Sequence, residues 1–482
     1  MADVPPMTGG ASVPSYYQEW YEPAPGEHQG SDVPLACMIW VPAGTGVLIA
    51  LAIRQPVVGV VAVGLGTLLH MFIRPRIAIY VLIAIIGVQN LIGFIPEIFS
   101  AARAMGVIAG IISLPRILNS FSSPRKDPGA WFLVPFVVLG LITAMLSPVP
   151  AYSALLWITL ASVYALPLLL GLWLDSEKRF RVGLTILVLA TLVLAAFYTR
   201  GAGKEVVESW ERVRVQTAIG EETRLDMNES ARLMAVGFFT AIFLCVLSNG
   251  LWKKVLFLLA AFALFVGVVI SKTRACYVAL PLSVALGILL WRRGGVRKRV
   301  VVIGAGAITS IVLLLVVAEM GLLGAGIQDR LRSIFLEGFQ SGNRSVFWRA
   351  YLIDSASRGF TGCGLQGTCF STVANDHGLG GATAHNDVIT VLADLGALGL
   401  ILFIGFHVHI FGRIRRMVKR WHQLYALILW TFMIVAGIPQ TDYLRKYYGL
   451  TLAILVVIIR LDERYREYLA EEAERGYAAA LG

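Results

Sequence analysis

The sequence predicts an all-α polytopic integral membrane protein with about fourteen transmembrane helices, within a range of about 12–14, and one large, partly helical outer loop. Three observations predict this: composition, a near-continuous series of apolar stretches, and the placement of Lys and Arg. Of 482 residues, 57% are hydrophobic and 15% charged, and the mean hydropathy is +0.73. A soluble domain is about 25% charged, and several soluble domains of this total length would need a polar surface that this chain lacks. A cytosolic enzyme, a disordered chain and a secreted disulfide scaffold are excluded. The net charge of +11 does not indicate nucleic acid, because no basic stripe with interleaved aromatics occupies a soluble segment.

Residues 1–34 hold Asp3, Glu19, Glu22, Glu27 and Asp32 without Lys or Arg. A signal peptide needs a basic start and an apolar middle, so this segment reads as a mobile cytoplasmic tail. A helix bundle follows over 35–320, with apolar stretches at 35–53, 57–73, 77–96, 104–121, 131–147, 151–174, 181–198, 231–249, 253–270, 275–291 and 300–320. Further spans lie at 387–411, 424–438 and 447–461, and 462–482 is a charged tail. The 104–121 stretch is the weakest, since it carries Pro115 and Arg116.

Short loops rich in Lys and Arg stay on the cytoplasmic side. Arg292, Arg293, Arg297, Lys298 and Arg299 form one such loop, and Arg413, Arg415, Arg416, Lys419 and Arg420 another. Counting back from them also places Lys253/Lys254, Lys178/Arg179/Arg181, Arg116/Arg125/Lys126 and Arg74/Arg76 inside, provided that 104–121 crosses. Both termini are then cytoplasmic. Two long segments fall outside, 199–230 and 321–386. A loop as long as the second is a functional candidate. Within it, Phe347, Ala350, Tyr351 and Asp354 recur at helical spacing, which predicts a short amphipathic helix on the outer surface.

Chemistry is therefore sought on the outer side. His385 precedes the apolar run that begins at Val388, and Asn386 or Asp387 can cap the helix there. Histidine changes charge near neutral pH, so His385 at a rigid helix start is a candidate general base; the plainer alternative is a half-solvated interfacial residue. Asp394 lies seven residues beyond Asp387, on the same helical face. An acid inside a span is a functional candidate, or else a helix-packing hydrogen bond. Arginines left outside against the charge bias include Arg224, Arg274, Arg330, Arg344, Arg349 and Arg358. The planar guanidinium fork suits a diphosphate, although solvation, snorkelling or pairing with nearby acids accounts for many of them.

Gly362-Cys363-Gly364-Leu365-Gln366-Gly367 matches a dinucleotide fingerprint in letters only, because no βαβ unit surrounds it. A tight surface turn explains these glycines. Cys363 and Cys369 share the loop and can pair in an oxidising compartment. No metal-ligand spacing is present, so no metal site is expected.

Taken in order, Ser341-Gly342-Asn343-Arg344 with Trp348, Gly359 to Gly364, Ala384-His385-Asn386, and Leu392 to Gly399 resemble the O-antigen ligase and polymerase superfamily. Its hallmarks are Arg-x-x-x-Trp, a Gly-rich turn and a His-Asn pair, followed by an acid and a Gly-x-x-Gly helix. Upstream, Thr273-Arg274-Ala275 resembles a family helix start. Arg224 to Ala231 (RLDMNESA) resembles another segment, with Glu229 where proline is usual. The likeness covers about 344–400, with weaker support over 224–280.

The resemblance implies a glycosyltransferase at the periplasmic face of the bacterial inner membrane. Its donor would be a glycan on undecaprenyl diphosphate, used without metal, nucleotide sugar or other cofactor. The acceptor would be another glycan repeat, a lipid-core sugar or a protein side chain. His385 would deprotonate the acceptor, and Arg274 and Arg344, with Arg224, would hold the diphosphate. Arg349, Trp348, Asn386 and Asp394 would line the substrate. Membrane lipids are the other expected partners, and nucleic acid is not one. The competing class is a transporter or flippase of a lipid-linked saccharide. Transporters tend to show internal repeats and discontinuous helices, and no repeat is evident in this chain.

Overall fold

The computed structural model describes residues 66–72, 74–88, 101–121, 129–201, 214–216, 222–224, 227–271, 273–291, 344–365 and 384–481. The chain divides into two units at Ile77/Ala78, and the first is described only from residue 66. The helices are α1 (Pro75–Val88), α2 (Ala101–Phe121), α3 (Ala130–Met145), α4 (Pro150–Trp173), α5 (Glu177–Gly201), α6 (Met227–Leu247), α7 (Leu251–Ile270), α8 (Arg274–Leu290), α9 (Arg344–Ser357), α10 (Asp387–Arg415), α11 (Arg420–Gly437) and α12 (Lys446–Leu481).

Five of these are long and apolar enough to cross a membrane: Pro150–Trp173, Glu177–Thr199, Asn228–Leu247, Leu251–Ile270 and Asp387–Arg415. Four apolar helices are shorter. The expected spans at 35–53 and 300–320 lie outside the described residues. The 104–121 stretch forms α2, which continues through Pro115. Backbone polar groups in hydrocarbon must be satisfied within the chain, and apolar helix is how this sequence does it. Outward-facing side chains such as Trp252, Leu146 and Trp131 are 81%, 78% and 75% exposed. Such a surface is stable against lipid and not against water.

Among the described residues, one short hairpin is not helical. Within 199–230, β1 (Arg214–Gln216) pairs antiparallel with β2 (Glu222–Arg224), with Val215 opposite Thr223. Both of those residues are β-branched and favour an extended backbone.

Consecutive helices pack as antiparallel neighbours: α3 on α4, α5 on α6, α6 on α7 and α11 on α12, while α4 receives α12 and α8 receives α11. Small residues allow close approach. A Cβ on Gly237 would lie 2.3 Å from the Thr191 hydroxyl, which brings α6 hard against α5.

Alternation of helix direction gives the bundle two poles. At one, the predicted cytoplasmic cations find acids: Lys419 Nζ lies 2.9 Å from Glu177 and Arg116 lies 3.1 Å from Asp175. Arg413 pairs with Glu463. Asp462 accepts the backbone N–H groups of Val418 and Lys419 at 2.9 and 2.8 Å, which ties α12 to the α10–α11 turn. The 462–481 segment continues α12 as uninterrupted helix.

Candidate functional site at the opposite pole

The opposite pole gathers the starts of α6 and α10 and the α11–α12 turn. It is built around a broken helix. Gly396 has φ 75° and ψ −173°, a region open essentially to glycine alone. It divides α10 into α10a (residues 387–395) and α10b (residues 397–415).

α10a is clamped along its length by the turn before α12. Asn386 caps it, its Oδ1 accepting the Ile389 N–H at 3.1 Å, while its Nδ2 donates to the Ile438 carbonyl at 3.1 Å. Asp387 Oδ1 accepts the backbone N–H groups of Asp442 at 2.5 Å and Tyr443 at 2.9 Å. The Thr390 hydroxyl donates to the Asn386 carbonyl at 2.7 Å and therefore accepts from Thr441 at 3.0 Å. Two turns beyond Asp387, Asp394 accepts the Tyr443 hydroxyl at 2.5 Å. Both acids are buried on the same face, as their spacing requires.

Beneath this clamp lies an ion pair that sequence reasoning missed. Arg232, on the first turns of α6, contacts Asp442 at 2.9 Å, and neither side chain is more than 1% exposed. It also donates to Gln440 Oε1 at 3.0 Å and to the Ala436 carbonyl at 3.5 Å, and its guanidinium lies 5.7 Å from the centre of the Tyr447 ring. Close by, Arg445 lies 3.5 Å from Glu229. The available signal was an arginine inside the otherwise apolar 231–249 stretch, with an acid in the break between the last two spans.

α9 packs across α10a. Trp348 Nε1 donates to the Ala384 carbonyl at 2.7 Å. Tyr351, Ala384 and Ala393 form a buried cluster, against which Phe347, Trp348 and Ile389 pack. Burial pushes the Tyr351 phenol well above its ordinary range, and the Asp394 carboxylate adds to the shift. Tyr351 is accordingly neutral and acts as packing.

After α9 the chain doubles back into the break at Gly396. Cys363 N–H donates to the Ala393 carbonyl and Gly364 N–H to the Asp394 carbonyl, both at 3.2 Å, while Ala397 N–H donates to the Phe360 carbonyl at 2.9 Å. These are groups that the helix break would otherwise leave unpaired, at about 1–3 kcal/mol each when buried. The glycines read as a surface turn thus form a splice. Leu365 N–H extends it to the Ser153 hydroxyl on α4 at 3.0 Å.

The expected site residues are placed as follows. His385 is half-buried between Ala384 and the Asn386 cap, with a left-handed backbone, φ 49°. Histidine is among the few side chains enriched in that conformation. Arg274 and Arg344 are the first residues of α8 and α9, and Arg224 ends β2, three residues before α6. α8 follows α7, which packs antiparallel to α6, so the start of α8 belongs to the same pole as the start of α6. Arg349 is exposed on α9. Of the residues expected to line the substrate, Trp348 bonds the Ala384 carbonyl, Asn386 bonds the helix start and Ile438, and Asp394 bonds Tyr443. Arg358 pairs with Asp354. Arg330 and Cys369 lie outside the described residues, and with Cys369 its pairing with Cys363. Among the described residues no group of three or more His, Cys, Asp or Glu side chains could hold a metal.

Replacing Asn386 tests the clamp. Asn386→Ala removes a cap worth about 0.5–2 kcal/mol together with the tether to Ile438. The expected result is a lower melting temperature, while Asn386→Asp, which keeps the cap acceptor and loses the donor, falls between the two.

Residues 259–404 match the family model Wzy_C, described as O-antigen ligase. The match spans α8, α9, the Gly-rich splice and α10a, and supports the resemblance to the O-antigen ligase and polymerase superfamily. No curated protein matches the chain.

Proposed function

From the likeness of residues 259–404 to the O-antigen ligase family, we propose that this protein is a membrane glycosyltransferase. It polymerises or ligates a glycan carried on undecaprenyl diphosphate, at the periplasmic face of a bacterial inner membrane. The observation that carries the reading is His385: a half-buried imidazole in a left-handed backbone, fixed between the Trp348-bonded Ala384 and the Asn386 cap. A base held this way is preorganised for proton transfer.

In the proposed step, His385 takes the proton of the acceptor hydroxyl. The acceptor oxygen bonds to the anomeric carbon as the bond from that carbon to the diphosphate oxygen breaks. Undecaprenyl diphosphate leaves with the electron pair, and the cations of Arg274 and Arg344, with Arg224 and Arg349 as further candidates, offset the developing charge. No bound metal is required in this scheme.

One observation favours the transporter reading, since a discontinuous helix is a common transporter feature. Here, however, the protein's own Phe360–Gly364 backbone takes up the Ala393 and Asp394 carbonyls and the Ala397 N–H at the break, so these groups are engaged within the fold. The deciding experiment uses the full chain in proteoliposomes with a lipid-linked oligosaccharide. A new glycosidic bond is expected; movement of the oligosaccharide across the bilayer without bond formation would overturn the reading. Arg274→Lys is expected to lower turnover by about 10-fold or more despite retaining the charge, because a point charge cannot reproduce a bidentate fork. Unchanged turnover would count against diphosphate binding by Arg274.

A further inference from the structure

The splice at Gly396 bears on the geometry of the reaction. α9 begins at Arg344 and carries Arg349; α10a begins just after His385. Two struts hold these helices together. One is the Trp348 indole on the Ala384 carbonyl, adjacent to His385. The other is the set of three backbone hydrogen bonds that joins residues 360–364 to residues 393–397. Tyr351 and Ala393 pack between them. Two struts at opposite ends fix both the distance and the angle between the helices, whereas a single strut leaves the angle free.

The second strut depends on glycine. A Cβ on Gly362 would lie 2.5 Å from the Asp394 carbonyl oxygen and 2.6 Å from the Leu395 carbonyl carbon. These are backbone atoms and cannot swing away as a flexible side chain would. A Cβ on Gly396 would lie 2.6 Å from both Gly362 N and the Phe360 carbonyl oxygen, at a backbone angle few other residues adopt. Gly359 is a natural control: its φ is also positive, at 63°, but a Cβ there meets nothing within 4 Å. Strain without a clash can therefore be separated from loss of the splice.

We propose that Gly362 and Gly396 are positioning residues of the transferase: by admitting the Phe360–Gly364 splice, they set where the cation-bearing helix α9 stands relative to His385. The inference rests on the glycosyltransferase reading. The splice touches neither base nor diphosphate, so its loss leaves the reacting groups present but out of register. A displacement of about 1 Å can cost about 10²-fold in rate.

The test uses the full-length protein with a lipid-linked oligosaccharide donor and compares wild type, Gly362→Ala, Gly396→Ala and Gly359→Ala. Three quantities are read: kcat, donor KM, and amide hydrogen exchange across residues 393–397. For Gly362→Ala the expected result is a lowered melting temperature, as the groups left unpaired require, with faster exchange at Ala397 and, at a temperature where the variant stays folded, a kcat lower by about 10²-fold with donor KM within about threefold. Gly359→Ala should remain near wild type in all three. Gly362→Ala carries the test if Gly396→Ala fails to fold.

Unchanged exchange in Gly362→Ala would show that the splice does not need this glycine and would overturn the inference. So would faster exchange with kcat retained, or a loss of activity that only tracks the unfolded fraction. An inactive wild type would instead sink the glycosyltransferase reading itself, a result distinct from an active wild type with an active variant.

Discussion

His385→Asn is expected to abolish glycan transfer while leaving the protein folded and inserted. A positioned general base contributes about 10²–10⁴-fold to rate, and asparagine cannot accept the acceptor proton. The choice of asparagine matters because His385 adopts φ 49°. Alanine in a left-handed conformation carries a steric cost of about 1–2 kcal/mol, so His385→Ala confounds loss of the base with strain at the α10a cap. Asparagine tolerates that conformation and isolates the chemistry. The measurement is turnover of a lipid-linked oligosaccharide alongside a melting curve for each variant. Turnover of the asparagine variant close to wild type would eliminate His385 as the base, whatever alanine does.

Much of the fold was legible because each spanning helix declares itself locally. A run such as Leu251–Ile270 needs no partner to be recognised, and its two flanking polarities set its direction. The cations expected to be cytoplasmic were grouped by counting alone, and the structure gathers Arg116, Arg413 and Lys419 at one pole with their acids. The helix start at His385 was legible for the same reason, since a cap followed by an apolar run is a local signal.

What escaped was anything made by residues far apart in sequence. Arg232 and Asp442 are separated by 210 residues and form one ion pair; only the oddity of an arginine within an apolar span hinted at it. The break at Gly396 was read as part of a continuous helix because Leu392 to Gly399 has an ordinary helical composition. Its irregularity exists only because the Phe360–Gly364 backbone supplies the missing hydrogen bonds. Trp348 and Asn386 belong to the motif, and their hydrogen bonds within the fold were not legible from it. Each is bound within the fold, and each stands one residue or one hydrogen bond away from His385.

The buried pair gives the second large expected effect. Arg232→Met leaves the Asp442 carboxylate without its guanidinium in a site of essentially no exposure. Breaking such a pair from one side costs about 3–5 kcal/mol, a large share of the stability of most folded proteins. Asp442→Leu exposes the reverse fault, although Arg232 keeps Gln440 and the Ala436 carbonyl, so its penalty should be the smaller. Replacing both removes the uncompensated charge, and the double variant should recover much of the loss seen in Arg232→Met. Unfolding in detergent, measured for all four species of the cycle, tests this; two additive single losses would mean that the two groups are not coupled. Activity need not follow stability. The pair fixes the turn whose backbone N–H groups, at Asp442 and Tyr443, bind Asp387 two residues after His385. A double variant that melts like wild type but transfers slowly would show that Arg232 and Asp442 hold the base in place as well as holding α6 to the turn before α12.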